Sequence, residues 1–410
     1  MHRIKCIKYG MLNTIANSPF AAPFKPVFTA PPQKVEETQF KTNVNNTPKV
    51  FNFLADHGGC GCWRLIWPEM IMNLRGDLLS FNSILMAKDE NLYRLMKTIR
   101  IQRQASPHQL DFIRFLKAIQ PRCNFKIVYE IDDVVFREDI PDYNKFKSAF
   151  VSDEIRNSAQ EIMEMCDEIT VTCDFMRDYY KSKLTNQNVT VLPNYVPRFW
   201  MGNFYDKDKL IKNLNDNKKR PRILYNGSAA HFDVDNRTKQ RDDFFHINET
   251  IIKTVKKYRW VFMGALPQTL IPYVKSGDIE FVQWSKIMDY PYTINSLNIQ
   301  MMIAPLADNT FNKCKSDLKY LEGSCYGIPV ACQDIETYKN APIRFKNGDE
   351  MIDQIDATLR EGVYKRAATS ARSFAESRFL ENPDNIGKYV EMYLHSYKSP
   401  ERKLLNKINP

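Results

Sequence analysis

The sequence predicts an α/β protein of two Rossmann-like, doubly wound domains that face a central cleft. Two observations carry this. Short apolar runs alternate with stretches of helical spacing along most of the chain, and strands alternating with helices imply βαβ units and a parallel sheet. The alternation breaks once, over residues 193–221, and then begins again. Length agrees: 410 residues exceed one ordinary core and suit two domains of roughly 100–200 residues each.

Taken in order, residues 19–34 hold five prolines and little periodicity, so residues 1–47 are expected to form an irregular arm. The first domain is assigned to 48–195. Val50 to Ala55 (VFNFLA) reads as its first strand, followed by a glycine turn at Gly58–Gly61 and a helix from Pro68 to Leu74. Ser80 to Met86 reads as a strand. Leu92 to Arg100 and Gln109 to Ala118 carry helical spacing of apolar residues. Phe125 to Ile131 is a strand ending at Asp132 and Asp133, and Glu168 to Thr172 and Val189 to Leu192 are two more, with helices at Asp153 to Cys166 and Phe175 to Lys183. The break over 193–221 holds two early prolines, Pro193 and Pro197, then a charged Asn/Lys stretch and Pro221, and the linker is assigned to 196–221. The second domain, 222–365, has strands expected at Arg222–Tyr225, Trp260–Gly264, Ile279–Val282, Ile299–Ala304 and Pro329–Cys332. Helices are expected at Phe244–Tyr258 and Leu318–Tyr326, and the closing helices, 366–410, are expected to cross back to the first domain.

Hydrophobic residues make up 43% and charged residues 26%, ordinary values for a folded chain. No window approaches the roughly 18–20 apolar residues of a membrane helix, and the first twenty residues lack the apolar block of a secretory signal. A cytoplasmic protein without a membrane anchor is expected, in which the sequons at Asn188 and Asn248 go unused. The nine cysteines include no paired CxxC sets at zinc spacing; Cys60 and Cys62 alone are too few soft ligands, so no metal is expected. Cys166, Cys173, Cys325 and Cys332 lie in or beside apolar runs and read as buried, reduced thiols. The net charge of +10 suits nucleotides, nucleic acid or an anionic membrane face, or serves solubility alone.

Four blocks carry chemistry. Phe311 to Tyr338 (FNKCKSDLKYLEGSCYGIPVACQDIETY) places Lys315, Ser316, Lys319 and Glu322 before a Gly-Ile-Pro turn. Glu322 can accept hydrogen bonds from ribose hydroxyls, the helix start can hold a diphosphate, and the two lysines add charge where a leaving diphosphate becomes more negative. Arg222 to Asp233 (RILYNGSAAHFD) ends a strand at Gly227 and Ser228, whose amides can reach phosphate oxygens, with His231 nearby as a phosphate or sugar contact or a structural histidine. His57 to Pro68 (HGGCGCWRLIWP) offers Gly59 toward the donor, with Arg64 and Trp63 as acceptor contacts; Trp63 and Trp67 can equally be packing residues. Tyr129 to Phe136 (YEIDDVVF) brings Glu130, Asp132 and Asp133 to a strand end, where a carboxylate can orient or deprotonate an acceptor hydroxyl; a helix cap or turn pair is the alternative.

The 311–338 block closely resembles the donor-site helix of retaining GT-B glycosyltransferases of the glycogen-synthase-like superfamily, and the other blocks, with 166–172 and 189–196, fit the same pattern over about residues 50–375. The resemblance implies a UDP-sugar donor, no cofactor and no essential metal. One departure stands out. The superfamily carries two glutamates eight positions apart on this element; the second matches Glu322, and the first falls on Cys314, so its role with the donor sugar is either absent or met by neighbours such as Asn312, Lys313 or Ser316. The chain also resembles bacteriophage-encoded, T-even-like DNA glycosyltransferases. That implies 5-hydroxymethylcytosine in DNA as acceptor, glucose or a pentose such as arabinose as the sugar, and a host cytoplasm as the setting. A polysaccharide, lipid-linked or protein acceptor, or a non-catalytic nucleotide-sugar- or DNA-binding protein, stays open at this point.

Overall fold

The computed structural model describes residues 47–150, 152–233 and 241–394. The expected arm lies outside them except for Thr47, as do the last sixteen residues of the expected closing segment, 395–410.

Two six-stranded sheets form the frame, parallel throughout their pairings. The first has the order β2-β1-β3-β4-β5-β6 and comprises β1 (Lys49–Phe53), β2 (Leu79–Ser83), β3 (Thr98–Gln102), β4 (Lys126–Glu130), β5 (Glu168–Val171) and β6 (Val189–Val191). The second has the order β12-β11-β10-β7-β8-β9 and comprises β7 (Arg222–Gly227), β8 (Arg259–Gly264), β9 (Ile279–Val282), β10 (Met301–Ala304), β11 (Val330–Gln333) and β12 (Arg344–Phe345). These are the two doubly wound sheets that the alternating pattern predicts, in the GT-B arrangement that the resemblance implies. Each sheet reverses strand order beside its first strand, β1 against β3 and β7 against β10. Such switch points open a crevice at the carboxyl ends of the strands.

The helix expected over Phe244–Tyr258 forms only at Asn248–Lys253, and three further elements differ from the sequence reading. The helical spacing over 92–100 comes from Leu92, Leu95, Met96 and Ile99, but only a short helix, Glu90–Tyr93, forms there. Leu95 is 71% exposed, so no apolar stripe meets the core, and the following residues form β3, buried on both faces. Its polar members Arg100 and Gln102 hide the strand's character because they are buried in hydrogen bonds. Second, the glycines at 58–61 do not make a simple turn. They start a helix, Gly59–Gly61, that passes through one π turn, Cys62–Ile66, into Trp67–Arg75, which ends at Gly76 in the left-handed region (φ 78°). Third, the stretch expected as a linker holds a helix, Lys207–Asp216, capped by the Asp206 side chain accepting from the Lys209 amide.

Aromatic packing joins the two halves. Trp63 and Trp67 meet edge to face at 5.1 Å, and Trp200 sits 4.2 Å from Trp67 and 6.0 Å from Tyr290 of the second half. The Pro383–Leu394 helix packs onto Trp67–Arg75, and its Tyr393 hydroxyl donates to the buried Glu69 while accepting from Arg100. Asn52 donates to the other Glu69 oxygen at 2.7 Å.

Burial pushes the Glu69 carboxyl up to about 7, although Tyr393 and Arg100 pull the other way. A carboxyl raised in the folded state favours the proton-bound form, so stability falls as pH rises from the unfolded value through about 7. Chemical denaturation is expected to show a loss on the order of 1–3 kcal/mol between pH 5 and pH 8, and Glu69→Gln is expected to remove most of that slope.

Candidate functional site

A cavity of about 720 Å³ lies between the carboxyl ends of the two sheets. Its walls come from the loops after β1, β4, β7 and β9 and from the segment that opens the Leu318–Cys325 helix. The volume falls within the roughly 300–1,000 Å³ of small-molecule sites. Of the residues singled out from the sequence, Gly59, Trp63, Arg64, Asp132, Asp133, Gly227, Ser228, His231, Lys315, Ser316, Lys319 and Glu322 line it. Glu130 does not.

On the second-sheet side, β7 ends against the Leu318–Cys325 helix. Asn226 and Tyr290 each donate to Glu322 Oε2 at 3.0 Å, leaving Oε1 without a partner among the described residues. Burial pushes the Glu322 carboxyl above its ordinary value, while Lys319 and these two hydrogen bonds oppose the shift. Lys319 donates to the Asn226 carbonyl and lies 4.7 Å over the Tyr225 ring. Burial, helped by the neighbouring Lys315, pushes the Lys319 ammonium down to about 8 against the pull of Glu322. Gly227 is required here: a Cβ would stand 2.4 Å from the Tyr225 hydroxyl and 2.9 Å from Lys319 Nζ. The next strand repeats the device. Gly264 has φ 94°, and a Cβ there would stand 2.4 Å from the Trp284 ring, whose side chain is 61% exposed where it lines the cavity.

His231 leaves the 229–231 turn with Nδ1 at 2.6 Å from Asp243 Oδ2. The other oxygen of Asp243 accepts from the Ala307 amide at 2.8 Å, Asn312 Nδ2 at 2.6 Å and the Tyr143 hydroxyl at 3.0 Å. Burial raises the Asp243 carboxyl, but His231 and the other hydrogen bonds outweigh it and hold it below the ordinary value. It is therefore an acceptor, and Nδ1 carries the imidazole proton. Burial, Lys319 and Lys315 push the His231 imidazole down to about 4, so it is neutral at physiological pH.

The first-sheet side carries the carboxylates. Arg103, at the end of β3 and left-handed at φ 53°, lies 3.4 Å from Asp132 Oδ1 and 3.2 Å from Cys60 Sγ. Burial raises the Asp132 carboxyl, but Arg103, a hydrogen bond from Cys60 and the Arg64 charge together outweigh it and hold it below its ordinary value. Asp133 goes the other way: burial and the Asp132 charge raise it, against Lys315 and Arg103. Two adjacent carboxyls with pKa values pushed apart are suited to different tasks. Cys60 is engaged by Arg103, and among the described residues no group of three or more potential metal ligands converges.

Three expectations are corrected. Glu130 is fully buried, held by Arg64 Nε at 2.5 Å, Arg100 Nη2 at 2.6 Å and the Thr170 hydroxyl, so it anchors the frame and faces no substrate. Arg64 borders the cavity, but four of its five N–H donors serve the frame, two on Glu130, one on the Leu192 carbonyl (2.6 Å) and one on Asn194 Oδ1 (2.9 Å). Trp63 is 4% exposed and packed against Trp67 and Trp200, so its role is packing.

The fold has known counterparts. The Anabaena protein HepE in its crystal structure with UDP superposes with a TM-score of 0.56 at 9% identity, over 85% of this chain and 99% of that one. Its complex with UDP-glucose gives 0.54 at 10% identity, over 84% and 99%. At that identity the similarity is one of fold. No family model and no curated protein matches the sequence.

Cys314, at the superfamily's first glutamate position, is fully buried and packed with Phe311 into the core of the first sheet. Of the proposed substitutes, Ser316 lines the cavity, whereas Asn312 is buried beneath it holding Asp243. Sequence reading missed Arg103, Asn226, Asp243, Trp284 and Tyr290. Asn226 sits one residue before a glycine already singled out and was within reach; the others belong to no motif and meet only through the fold. Gly227→Ala is expected to displace Lys319 or Tyr225 and to weaken binding of UDP about tenfold or more by calorimetry, whereas Gly59→Ala, whose Cβ meets nothing within 4 Å, is expected to weaken it less.

Proposed function

We propose that the protein is a glycosyltransferase whose cavity binds a UDP-sugar donor. The observation that carries this is the convergence of a buried carboxylate with one free oxygen (Glu322), a buried ammonium (Lys319) and a glycine strand end (Gly227) at the carboxyl edge of β7. Glu322 Oε1 takes the ribose hydroxyls. The backbone at Gly227 and Ser228 and the charges of Lys315 and Lys319 take the diphosphate, where they stabilise the negative charge that grows as the sugar leaves. Trp284, seated against Gly264 and open to the cavity, is the stacking platform for the uracil. The crystals of HepE with UDP and with UDP-glucose add support, since that protein shares the fold.

The acceptor in this reading is 5-hydroxymethylcytosine in DNA. The support is the net charge of +10, whose lysines and arginines can neutralise backbone phosphates, together with the resemblance to phage DNA glycosyltransferases. The target base leaves the helix to bring its hydroxymethyl group to the cavity.

The deciding experiment mixes the protein with a panel of UDP-sugars and with hydroxymethylated, glucosylated hydroxymethylated or unmodified DNA, and reads UDP release and nucleoside mass. Release matched by a mass gain on the modified cytosine is the expected result. Release without gain on DNA would move the acceptor to another molecule, and neither binding nor release with any UDP-sugar would reject the donor site. Lys319 is charged below about 8 and neutral above it, so affinity for UDP is expected to fall as pH rises through that value. Lys319→Met is expected to weaken binding about 10- to 100-fold at pH 7 and to flatten this pH dependence.

A further inference from the structure

Beside the main cavity lies a second chamber of about 320 Å³. The two share Asp133, Ser228, His231 and Lys315. The second chamber's remaining walls come mostly from the first half of the molecule, including Arg103, Val134, Ile140, Asn144 and Phe146. His231 therefore stands at the partition: donor space on one side, an unassigned space on the other.

The partition residue is built for one task. Asp243 fixes the tautomer by accepting from Nδ1, and is itself fixed by donors from three other segments, Tyr143, Ala307 and Asn312. With Nδ1–H committed, Nε2 carries a lone pair and has no partner among the described residues. A histidine that only bound phosphate would gain from being charged. Burial, with Lys319 and Lys315 on its cavity side, keeps this one neutral, and a carboxylate behind it can stabilise a proton once taken.

We propose that the second chamber receives the acceptor and that His231, oriented by Asp243, takes the proton from the acceptor hydroxyl. The inference rests on the UDP-sugar reading of the main cavity. In the step, the acceptor oxygen forms a bond to the anomeric carbon and its proton passes to His231 Nε2. The bond from the anomeric carbon to the phosphate oxygen breaks, and its electron pair leaves on the diphosphate beside Lys315 and Lys319. The imidazolium is paired with the Asp243 carboxylate, and the proton returns to solvent after the product departs. His231 is the catalytic residue; Asp243 is a positioning residue.

The test separates a base from a donor ligand by using a nucleophile that carries no proton. Wild type, His231→Gln, Asp243→Asn and Asp133→Asn are given a UDP-sugar that binds the wild type in the panel above, with either 1,2,3-propanetriol or sodium azide as nucleophile. Glycoside and glycosyl azide are read by mass, and UDP-sugar affinity by calorimetry. The expected result is a loss of about 100-fold or more in transfer to the triol for His231→Gln and Asp243→Asn, with transfer to azide and UDP-sugar affinity within about threefold of wild type. Equal loss with both nucleophiles, no loss with either, or the azide-selective pattern appearing in Asp133→Asn would overturn the proposal. So would a wild type that binds the UDP-sugar yet transfers to neither nucleophile, which would leave the donor site standing. Failure of every UDP-sugar to bind would reject the donor site itself.

Discussion

Everything at the cleft depends on a buried charge cluster behind it. Glu130, at the end of β4, accepts from both Arg64 and Arg100, and all three side chains are essentially inaccessible to water. Removing one member of such a cluster leaves an uncompensated buried charge, a cost of about 3–5 kcal/mol. The cluster also sets register. Arg64 reaches Asn194, whose amide donates to Ser316 at 2.9 Å on the donor segment. Arg378 closes the loop by donating to the Asn194 carbonyl at 3.0 Å and pairing with Asp317 at 3.1 Å. Asn194 is thus the joint through which the first sheet's cluster fixes where Lys315 and Lys319 stand.

Given that joint, the cavity's electrostatics are mixed on each wall. Lys315 and Lys319 stand with Glu322 on the second-sheet wall, and Asp132 and Asp133 stand on the first-sheet wall, with Arg103 beside Asp132 and Cys60. Desolvation destabilises each of these charges, so they persist only as compensated sets. Lys319 has a carbonyl, a ring face and the Glu322 charge; Asp132 has Arg103; Asp243 has three donors and His231. An anionic ligand entering between Lys315 and Lys319 opposes the burial and the Lys315 repulsion that hold Lys319 low, so binding and protonation reinforce each other.

Much of this was legible in the sequence because strand ends are legible. A run such as RILYNG or KIVYE must finish at a sheet edge, and the chemistry-bearing residues just after it then share one side of the fold. That logic brought twelve of the residues named from sequence onto one cavity. It failed where a residue's neighbourhood is assembled from distant segments. Glu130 and Asp132 are two residues apart at one strand end, yet one faces a buried arginine pair and the other borders the cavity. The positions of Arg64 and Arg100, sixty-six and thirty residues away, separate their roles. Arg103 was hidden because β3 imitates a helix, and Asp243 because the donors that engage it, Tyr143, Ala307 and Asn312, are distant in sequence.

Cys314 shows how a departure from a motif can be absorbed without emptying the site. Its side chain points into the first sheet's core with Phe311, where a carboxylate would be buried beside Asp133 and Asp139 and repelled by both. A cysteine in that position adds apolar packing and no charge. The donor segment then presents two lysines against one glutamate, a more positive wall than a second carboxylate would leave. On the proposed reading such a wall favours the diphosphate over the sugar, and the sugar's orientation falls to uncharged groups that the motif does not specify, such as Ser316 on the same segment.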